Sequence, residues 1–192
     1  MATTDKASPR DRLLDVAAQL FYRDGVSIGV EALCRAAGVS KRSMYQLFDS
    51  KDEMLAASLE RQLPRYEAQL APGPGDADAG PPRERVLRVF ELLEEASVSA
   101  DYHGCPYLAA LIELKDPEHP ASVVARAVKE RLKTFFRTQA ERGGAQDPEL
   151  LARQLLLIFD GASARSGARV ERLDDGLTTA TASALLDAAG VK

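Results

Sequence analysis

The chain has 192 residues, which is enough for one or two small domains with a buried core. Hydrophobic residues make up 45% of it and charged residues 28%, and no run of about 18 apolar residues occurs, which excludes a transmembrane helix. The formal net charge of -4 excludes binding of nucleic acid through bulk positive charge, so any such binding must come from a local patch.

The N-terminus and the cysteines indicate the compartment. Residues 1–12 contain no apolar segment of the kind that directs secretion, so we expect a cytoplasmic protein. Cys34 and Cys105 are too few for a disulfide scaffold and are expected to be reduced thiols. Cys105, beside His103 at a predicted helix start, is either a buried structural thiol, which we favour, or an oxidant-sensitive one.

The same side chains do not indicate metal binding or catalysis. The two cysteines and the two histidines, His103 and His119, lack the spacing of zinc ligands, so we predict no metal site and no cofactor. To act as base and nucleophile, His103 and Cys105 would need an orienting carboxylate and an oxyanion hole, and neither has a sequence signal. We therefore predict no catalytic residue and no enzyme activity. A cofactor-free enzyme in the C-terminal part is the alternative.

Apolar residues recur with the period of 3.6 residues that is typical of helices, and no segment of useful length alternates with period 2. The first predicted helix has Ser8 as its cap, Pro9 at its first position and Gly25 at its end. Two short helices follow, at about 30–37 and 41–48.

The remaining helices follow from caps and apolar periodicity. The fourth begins at a capping box formed by Ser50 and Glu53 and is expected to be disturbed at Pro64. Residues 71–82, APGPGDADAGPP, have the composition of a flexible loop. Five further helices are predicted at about 83–100, 105–115, 120–142, 148–168 and 174–189. The chain is therefore predicted to be all-α, with about nine helices.

Residues 30–49, VEALCRAAGVSKRSMYQLFD, have the layout of a helix-turn-helix. Gly38 lies between the two short helices, where the turn needs a residue that tolerates positive φ. Cys34 lies where the helices approach most closely, and only a small side chain fits there. The second helix exposes polar residues that suit the major groove: Ser40, Lys41, Arg42, Ser43, Tyr45 and Gln46. The alternative is a solvated helix in a helical bundle.

Residues 12–59 are similar to the DNA-binding domain of the TetR/AcrR family of bacterial transcriptional regulators. The matching residues are LLDVAAQLFYRDG followed by GVEALCRAAGVSKRSMYQLFDSKDEML. The resemblance implies a phosphate contact for Tyr45 and another for Lys51, whose ammonium group lies at a helix start. It places the recognition positions at Ser40, Lys41, Arg42, Ser43 and Gln46. Glycine is frequent in the family where Arg42 stands, and histidine where Gln46 stands, so the operator sequence does not follow by analogy.

The resemblance also implies how tasks are divided along the chain. We expect a helix-turn-helix DNA-binding domain over residues 1–50, a connecting helix over 51–70, and a ligand-binding and dimerisation domain over 71–192. The expected function is that of a homodimeric repressor that a small organic ligand releases from a palindromic operator in double-stranded DNA. A helical ligand-binding or adaptor protein without a DNA function is the alternative. We expect no membrane partner.

Aromatic side chains of the C-terminal part suit an apolar pocket between helices, with a few polar groups that orient a ligand. The predicted ligand-binding residues are Phe90, Tyr102, His103, Tyr107, Leu111, Phe135 and Phe159. This set contains few cations, so a neutral or weakly polar organic molecule is favoured over a polyanion. The alternative for each aromatic residue is an ordinary position in the core.

The last two predicted helices mix leucines with small residues, which permits close approach between helices. The resembling family uses these two helices to build a four-helix dimer interface. The positions concerned are Leu150, Leu151, Leu155, Ile158, Gly161, Ala162 and Arg165 in the eighth helix and Leu177, Ala180, Ala184, Leu185 and Ala188 in the ninth. The alternative is that these helices only close the core of the monomer.

Overall fold

A computed structural model describes residues 8–70 and 80–192 of the chain. Within these two stretches it contains nine helices and no strand, which confirms the predicted all-α fold. In chain order the helices are α1 Pro9–Asp24, α2 Val30–Ala37, α3 Lys41–Leu47, α4 Lys51–Leu70, α5 Pro82–Ser97, α6 Pro106–Leu114, α7 Pro120–Arg142, α8 Pro148–Gly167 and α9 Leu177–Ala188. None of these helices is long and apolar enough to cross a membrane.

The first three helices begin and end where their local sequence predicts. The Ser8 hydroxyl accepts a hydrogen bond from the Asp11 N–H (3.0 Å) and caps α1, and Gly25 follows the last residue of α1. Gly38 joins α2 to α3 with a φ of 65°, in the left-handed region that glycine adopts at little cost. Residues 30–49 therefore form the predicted helix-turn-helix.

The connecting helix α4 is a single helix that continues through Pro64, so the proline does not end it. The proline removes one N–H donor, but its side chain is exposed, and α4 packs along both α1 and α7, which support it. At the helix start the Ser50 hydroxyl accepts from the Glu53 N–H (3.0 Å). The Glu53 carboxylate accepts from the Asp49 N–H (2.6 Å), one residue earlier than a capping box requires.

Buried apolar side chains form two cores. The first core joins α1–α4 to α6 and to the first half of α7, and the second joins α5, the second half of α7, α8 and α9. Tyr66 of α4 packs against both cores. The first core therefore contains residues from both sides of the predicted flexible loop. Residues 71–79, most of that loop, lie outside the described residues, and the domain boundaries stay a prediction.

The last helix, α9, begins three residues later than predicted because a side chain from α5 caps it. The Glu94 carboxylate accepts hydrogen bonds from the Thr178 N–H (2.8 Å), the Thr179 N–H (3.0 Å) and both threonine hydroxyls. Burial raises the pKa of the Glu94 carboxyl, but the hydrogen bonds to its charged form outweigh burial, so its pKa lies below the ordinary range.

Candidate nucleic-acid interface

The second helix of the helix-turn-helix, α3, is anchored through its apolar side. Met44 is fully buried and Phe48 is 2% exposed, and both belong to the first core. The Ser40 hydroxyl accepts a hydrogen bond from the Ser43 N–H (2.9 Å) and so caps α3. The hydroxyl oxygens of Ser40 and Ser43 are 2.8 Å apart and also bond to each other. These contacts fix the first turn of the helix.

Four of the predicted DNA-binding side chains lie on one exposed face of α3. Lys41, Arg42, Tyr45 and Gln46 occupy positions i, i+1, i+4 and i+5, and all four are exposed. Tyr45 keeps 48% of its surface exposed although it is aromatic. Two cations, a phenol and an amide on one face can donate hydrogen bonds to phosphate oxygens and to base edges in the major groove.

Lys51, the predicted phosphate-binding residue at the start of α4, is half-buried and already has two partners. Its ammonium donates to the carbonyl oxygens of Val26 (2.7 Å) and Ile28 (3.3 Å) in the loop between α1 and α2. An ammonium group has three N–H donors, so these two bonds leave one. Lys51 thus holds the loop against α4, and its phosphate contact stays a prediction.

A further cation lies beside the end of α3 and was not predicted. The Arg10 guanidinium is 5.0 Å from the centroid of the Phe48 ring, so α1 places a positive charge next to the end of α3. The two residues are far apart in the sequence, and no periodicity or motif links them. The pair therefore becomes visible only in the folded chain.

The structure does not bring the seven predicted ligand-binding residues into one lining. Phe90 and Phe159 are buried in the second core, and Tyr102 and Phe135 pack against it. Tyr107 is buried in the first core, and Leu111 packs against that core. His103 lies in the loop before α6, where its ring meets the Tyr22 ring edge-on at 5.3 Å. The predicted ligand-binding residues therefore lie on both sides of the junction between the two cores. Their role in ligand binding stays a prediction.

One tyrosine hydroxyl and one thiol meet at this junction. The Tyr66 hydroxyl is 3.1 Å from the Cys105 sulfur, and the Tyr66 ring lies edge-on against Tyr107. Burial raises the pKa of both phenols and of Tyr102, so all three stay protonated. The Tyr107 hydroxyl donates its proton to the Leu59 carbonyl oxygen (3.1 Å). The sequence prediction missed Tyr66, although it continues the helical spacing of Leu59 and Leu63. Cys105 is buried, as the structural alternative expects.

A surface cleft of about 340 Å³ lies elsewhere, between the end of α5 and the start of α9. Its lining is acidic and contains none of the predicted ligand-binding residues: Glu91, Glu94, Glu95, Val98, Leu173, Asp174 and Gly176. Arg88 is paired with Glu91 and Glu95, and Glu94 caps α9. Among the described residues, no three His, Cys, Asp or Glu side chains gather as metal ligands would.

The predicted dimer helices divide into a buried side and an exposed side. Leu151, Leu155 and Ala162 are buried in the second core. The opposite side of α8 and α9 exposes an apolar face, which we call the α8–α9 face: Leu150, Leu157, Gly161, Leu177, Ala180, Ala184 and Ala188. Leu157 is 74% exposed and was not among the predicted residues. A Cβ atom added to Gly161 would meet no heavy atom within 4 Å.

The helix-turn-helix and the larger helical part together define the class of this protein. The second helix of the motif exposes cations and hydrogen-bond donors, which is the arrangement of proteins that read the major groove. Five further helices follow, of which α5, α7, α8 and α9 form a second core, and α8 and α9 expose an apolar face. This combination is typical of DNA-binding regulators with a separate helical part.

Comparison with known proteins identifies the family. The model for bacterial regulatory proteins of the tetR family matches residues 13–58. A TetR-type transcriptional regulator of known structure from Streptomyces avermitilis MA-4680 is 59% identical, and the match covers 97% of this chain and 100% of that one with a TM-score of 0.92. The chain therefore belongs to the TetR family and is a transcriptional regulator with a DNA-binding helix-turn-helix.

One further relative is similar over part of the sequence, and another shares the fold. An HTH-type transcriptional regulator of Mycobacterium tuberculosis H37Rv is 37% identical over 94 residues, which cover 45% of this chain and 46% of that protein. The match thus spans about half the length of this curated relative. A TetR-family regulator from Streptomyces coelicolor is 23% identical and shares the fold, with a TM-score of 0.85 over 95% of this chain and 96% of that one.

Proposed function

We propose that the protein is a homodimeric repressor that binds a palindromic operator and is released from it by a small organic ligand. The exposed polar face of α3 is the observation that carries this proposal. Arg42 and Lys41 suit guanine or phosphate, and Gln46 suits adenine. Tyr45 and Lys51 are proposed to bind phosphate, and Ser40 and Ser43 lie at the start of the helix, where backbone N–H groups also face the DNA.

The α8–α9 face supports the homodimer. Leu157 and Leu150 of α8 and Leu177 of α9 are 74%, 47% and 45% exposed, and apolar side chains grouped in a patch mark an interaction site more often than scattered ones do. The small residues between them allow the helices of a second copy to approach closely. A two-fold dimer presents two copies of α3 related by symmetry, so its operator is expected to be palindromic.

The junction of the two cores is the proposed ligand site. Tyr107 reaches it from the first core and Tyr102 from the second, and both hydroxyls keep their protons. Helices that separate slightly at this junction would present aromatic rings and neutral donors, which suit a neutral or weakly polar molecule. Such a ligand releases DNA only if it binds the DNA-incompetent arrangement more tightly.

Selection of bound duplexes from random DNA tests the proposal. The wild-type protein is expected to select a palindrome, and Arg42→Ala is expected to relax the base preference at one position per half-site at a cost of about 1–3 kcal/mol. Arg131→Ala removes one exposed charge from α7, far from α3 in the sequence, and serves as the matched control. Selection of no common sequence by the wild-type protein would contradict the proposal.

A further inference from the structure

The end of α1 is bound directly to the segment that leads into α6. The Tyr22 hydroxyl donates to the Gly104 carbonyl oxygen (2.9 Å) and accepts from the His103 N–H (2.9 Å). Burial raises the pKa of Tyr22, so the hydroxyl keeps the proton that it donates. One phenol that donates and accepts at once requires one orientation of its ring, because both bonds depend on angle as well as distance.

A second contact binds the loop after α1 to the other end of α6. The Glu113 carboxylate accepts a hydrogen bond from the Val26 N–H at 2.7 Å. A Cβ atom added to Gly25 would lie 2.7 Å from the same carboxylate, so the loop backbone lies directly against it. Both ends of α6 are therefore connected to the last turn of α1 or to the loop that follows it. We call these contacts, through Tyr22 and Glu113, the α1 clamp.

The segment held by Tyr22 is itself fixed to α8. The Arg169 guanidinium, just after α8, donates to the Ala100 carbonyl oxygen at 2.5 Å. A Cβ atom on Gly104 would lie 2.9 Å from the Ser163 carbonyl oxygen, and one on Gly167 would lie 2.6 Å from backbone atoms of residues 103 and 104. Backbones that approach this closely leave little freedom. A chain of short contacts thus connects α8, which carries much of the α8–α9 face, to α1.

Apolar packing alone would not fix the angle of the DNA-binding unit, α1–α3, on the rest of the chain. The first core holds this unit on α4, α6 and α7 through apolar contacts, which are not directional and tolerate small rotations. Arg61 of α4 pairs with Asp11 and Asp15 of α1, and these polar bonds fix the unit to α4 but do not reach α6 or α8. The α1 clamp adds directional bonds at the end of α1. Because α8 is proposed to lie at the dimer axis, a fixed angle between α1 and α8 would fix the distance between the two α3 helices.

We propose that Tyr22 and Glu113 are positioning residues for DNA binding, which hold each DNA-binding unit at one angle to α8 and so set the half-site spacing that the dimer accepts. This inference rests on the proposed function as a dimer on a palindromic operator. Neither residue touches DNA in the proposal. Their effect is therefore on the choice of spacing, and base preference within each half-site stays unchanged.

The experiment compares spacing selectivity in the clamp variants and matched controls. The probe is the palindrome that the wild-type protein selects, together with versions that carry one base pair more or less at the centre, which shifts a half-site by about 3.4 Å and turns it by about 34°. Tyr22→Phe and Glu113→Ala break the clamp, and Glu113→Gln keeps an acceptor for the Val26 N–H. Ser97→Ala removes another hydroxyl-to-carbonyl bond, and Glu118→Ala another exposed carboxylate.

The wild-type protein is expected to bind either altered spacing about tenfold more weakly than the original palindrome. The same loss is expected for Glu113→Gln and for the two controls, Ser97→Ala and Glu118→Ala. The double variant, Tyr22→Phe with Glu113→Ala, is expected to bind the altered spacings less than about threefold more weakly than the original palindrome. Its affinity for the original palindrome is expected to fall several-fold. The Val26 amide is expected to exchange faster with solvent in Glu113→Ala than in Glu113→Gln. If the double variant loses as much affinity on the altered spacings as the wild-type protein does, the inference is overturned and the proposed function stands. Failure of the wild-type protein to select a palindrome would overturn the proposed function, and the inference with it.

Discussion

Lys51 shows how one residue can serve both the fold and the proposed interface. Its ammonium holds the loop between α1 and α2 through the carbonyl oxygens of Val26 and Ile28. The same loop receives the Glu113 carboxylate at the Val26 N–H. The loop is thus fixed from α4 on one side and from α6 on the other. A phosphate bound at the start of α4 would contact the same Lys51 ammonium that holds this loop.

Replacement of Lys51 is therefore expected to affect both stability and binding. Lys51→Ala should lower the free energy of unfolding by about 1.5–3 kcal/mol, because two carbonyl oxygens lose a charged donor. It should also weaken binding to all DNA sequences alike and reduce the slope of log affinity against log salt by about one. Lys41→Ala, on the exposed face of α3, should change the salt slope without lowering the melting temperature. Equal melting temperatures for both variants would contradict the double role.

At the scale of elements, α8 has one side in the second core and one side exposed, so substitutions on it separate folding from assembly. Leu157→Glu places a charge on the 74% exposed side chain and should dissociate the dimer without destabilising the protomer. Leu185 is less suitable because it is half-buried against the second core. Val123→Glu serves as the control, because it makes the same change at an apolar residue that is 52% exposed on α7, away from the α8–α9 face. Sedimentation at micromolar concentration distinguishes these outcomes, and a monomeric wild-type protein would contradict the interface.

The start of α9 is expected to be sensitive to acid. The pKa of Glu94 lies below its ordinary value in the folded protein, so its contribution to stability is full above the unfolded value of about 4.3 and is lost as the pH falls through the folded value. Protonation would remove acceptors from Thr178 and Thr179. Glu94→Gln should abolish this part of the pH dependence. Urea titrations of the wild-type protein and of Glu94→Gln at pH 6 and pH 3 measure the loss of stability in acid. An equal loss in the two proteins would contradict the role of Glu94.

The elements also show which features a sequence can predict. Ser8 and Gly38 act on residues within a few positions of themselves, so the start of α1 and the turn of the helix-turn-helix follow from local patterns. The start of α9 depends on Glu94, more than eighty residues away, and no local pattern contains it. Tyr22 and Gly104 form a pair of the same kind. The exposed polar face of α3 was predictable because it lies on one short helix, and the α1 clamp was not.

At the scale of the whole molecule, operator and ligand are expected to compete. A ligand that binds the DNA-incompetent arrangement a hundredfold more tightly corresponds to about 2.7 kcal/mol, and operator DNA must weaken its binding by the same factor. A thermal-shift screen of neutral organic molecules finds candidates, and titration with and without operator measures the coupling. A ligand with equal affinity in both titrations is no inducer. Phe135→Ala and Tyr107→Ala should weaken its binding if the proposed site is right.

The shared first core limits how freely this chain can exchange parts with its relatives. A chimera that joined α1–α4 of this protein to α5–α9 of another would need side chains on the new α6 and α7 that match the apolar surface of α1 and α4. Tyr22 and Glu113 would also need their partners on the other side of the junction. A change of operator confined to α3 leaves this junction intact. New DNA specificities should therefore arise more readily by substitution within α3 than by recombination between whole domains.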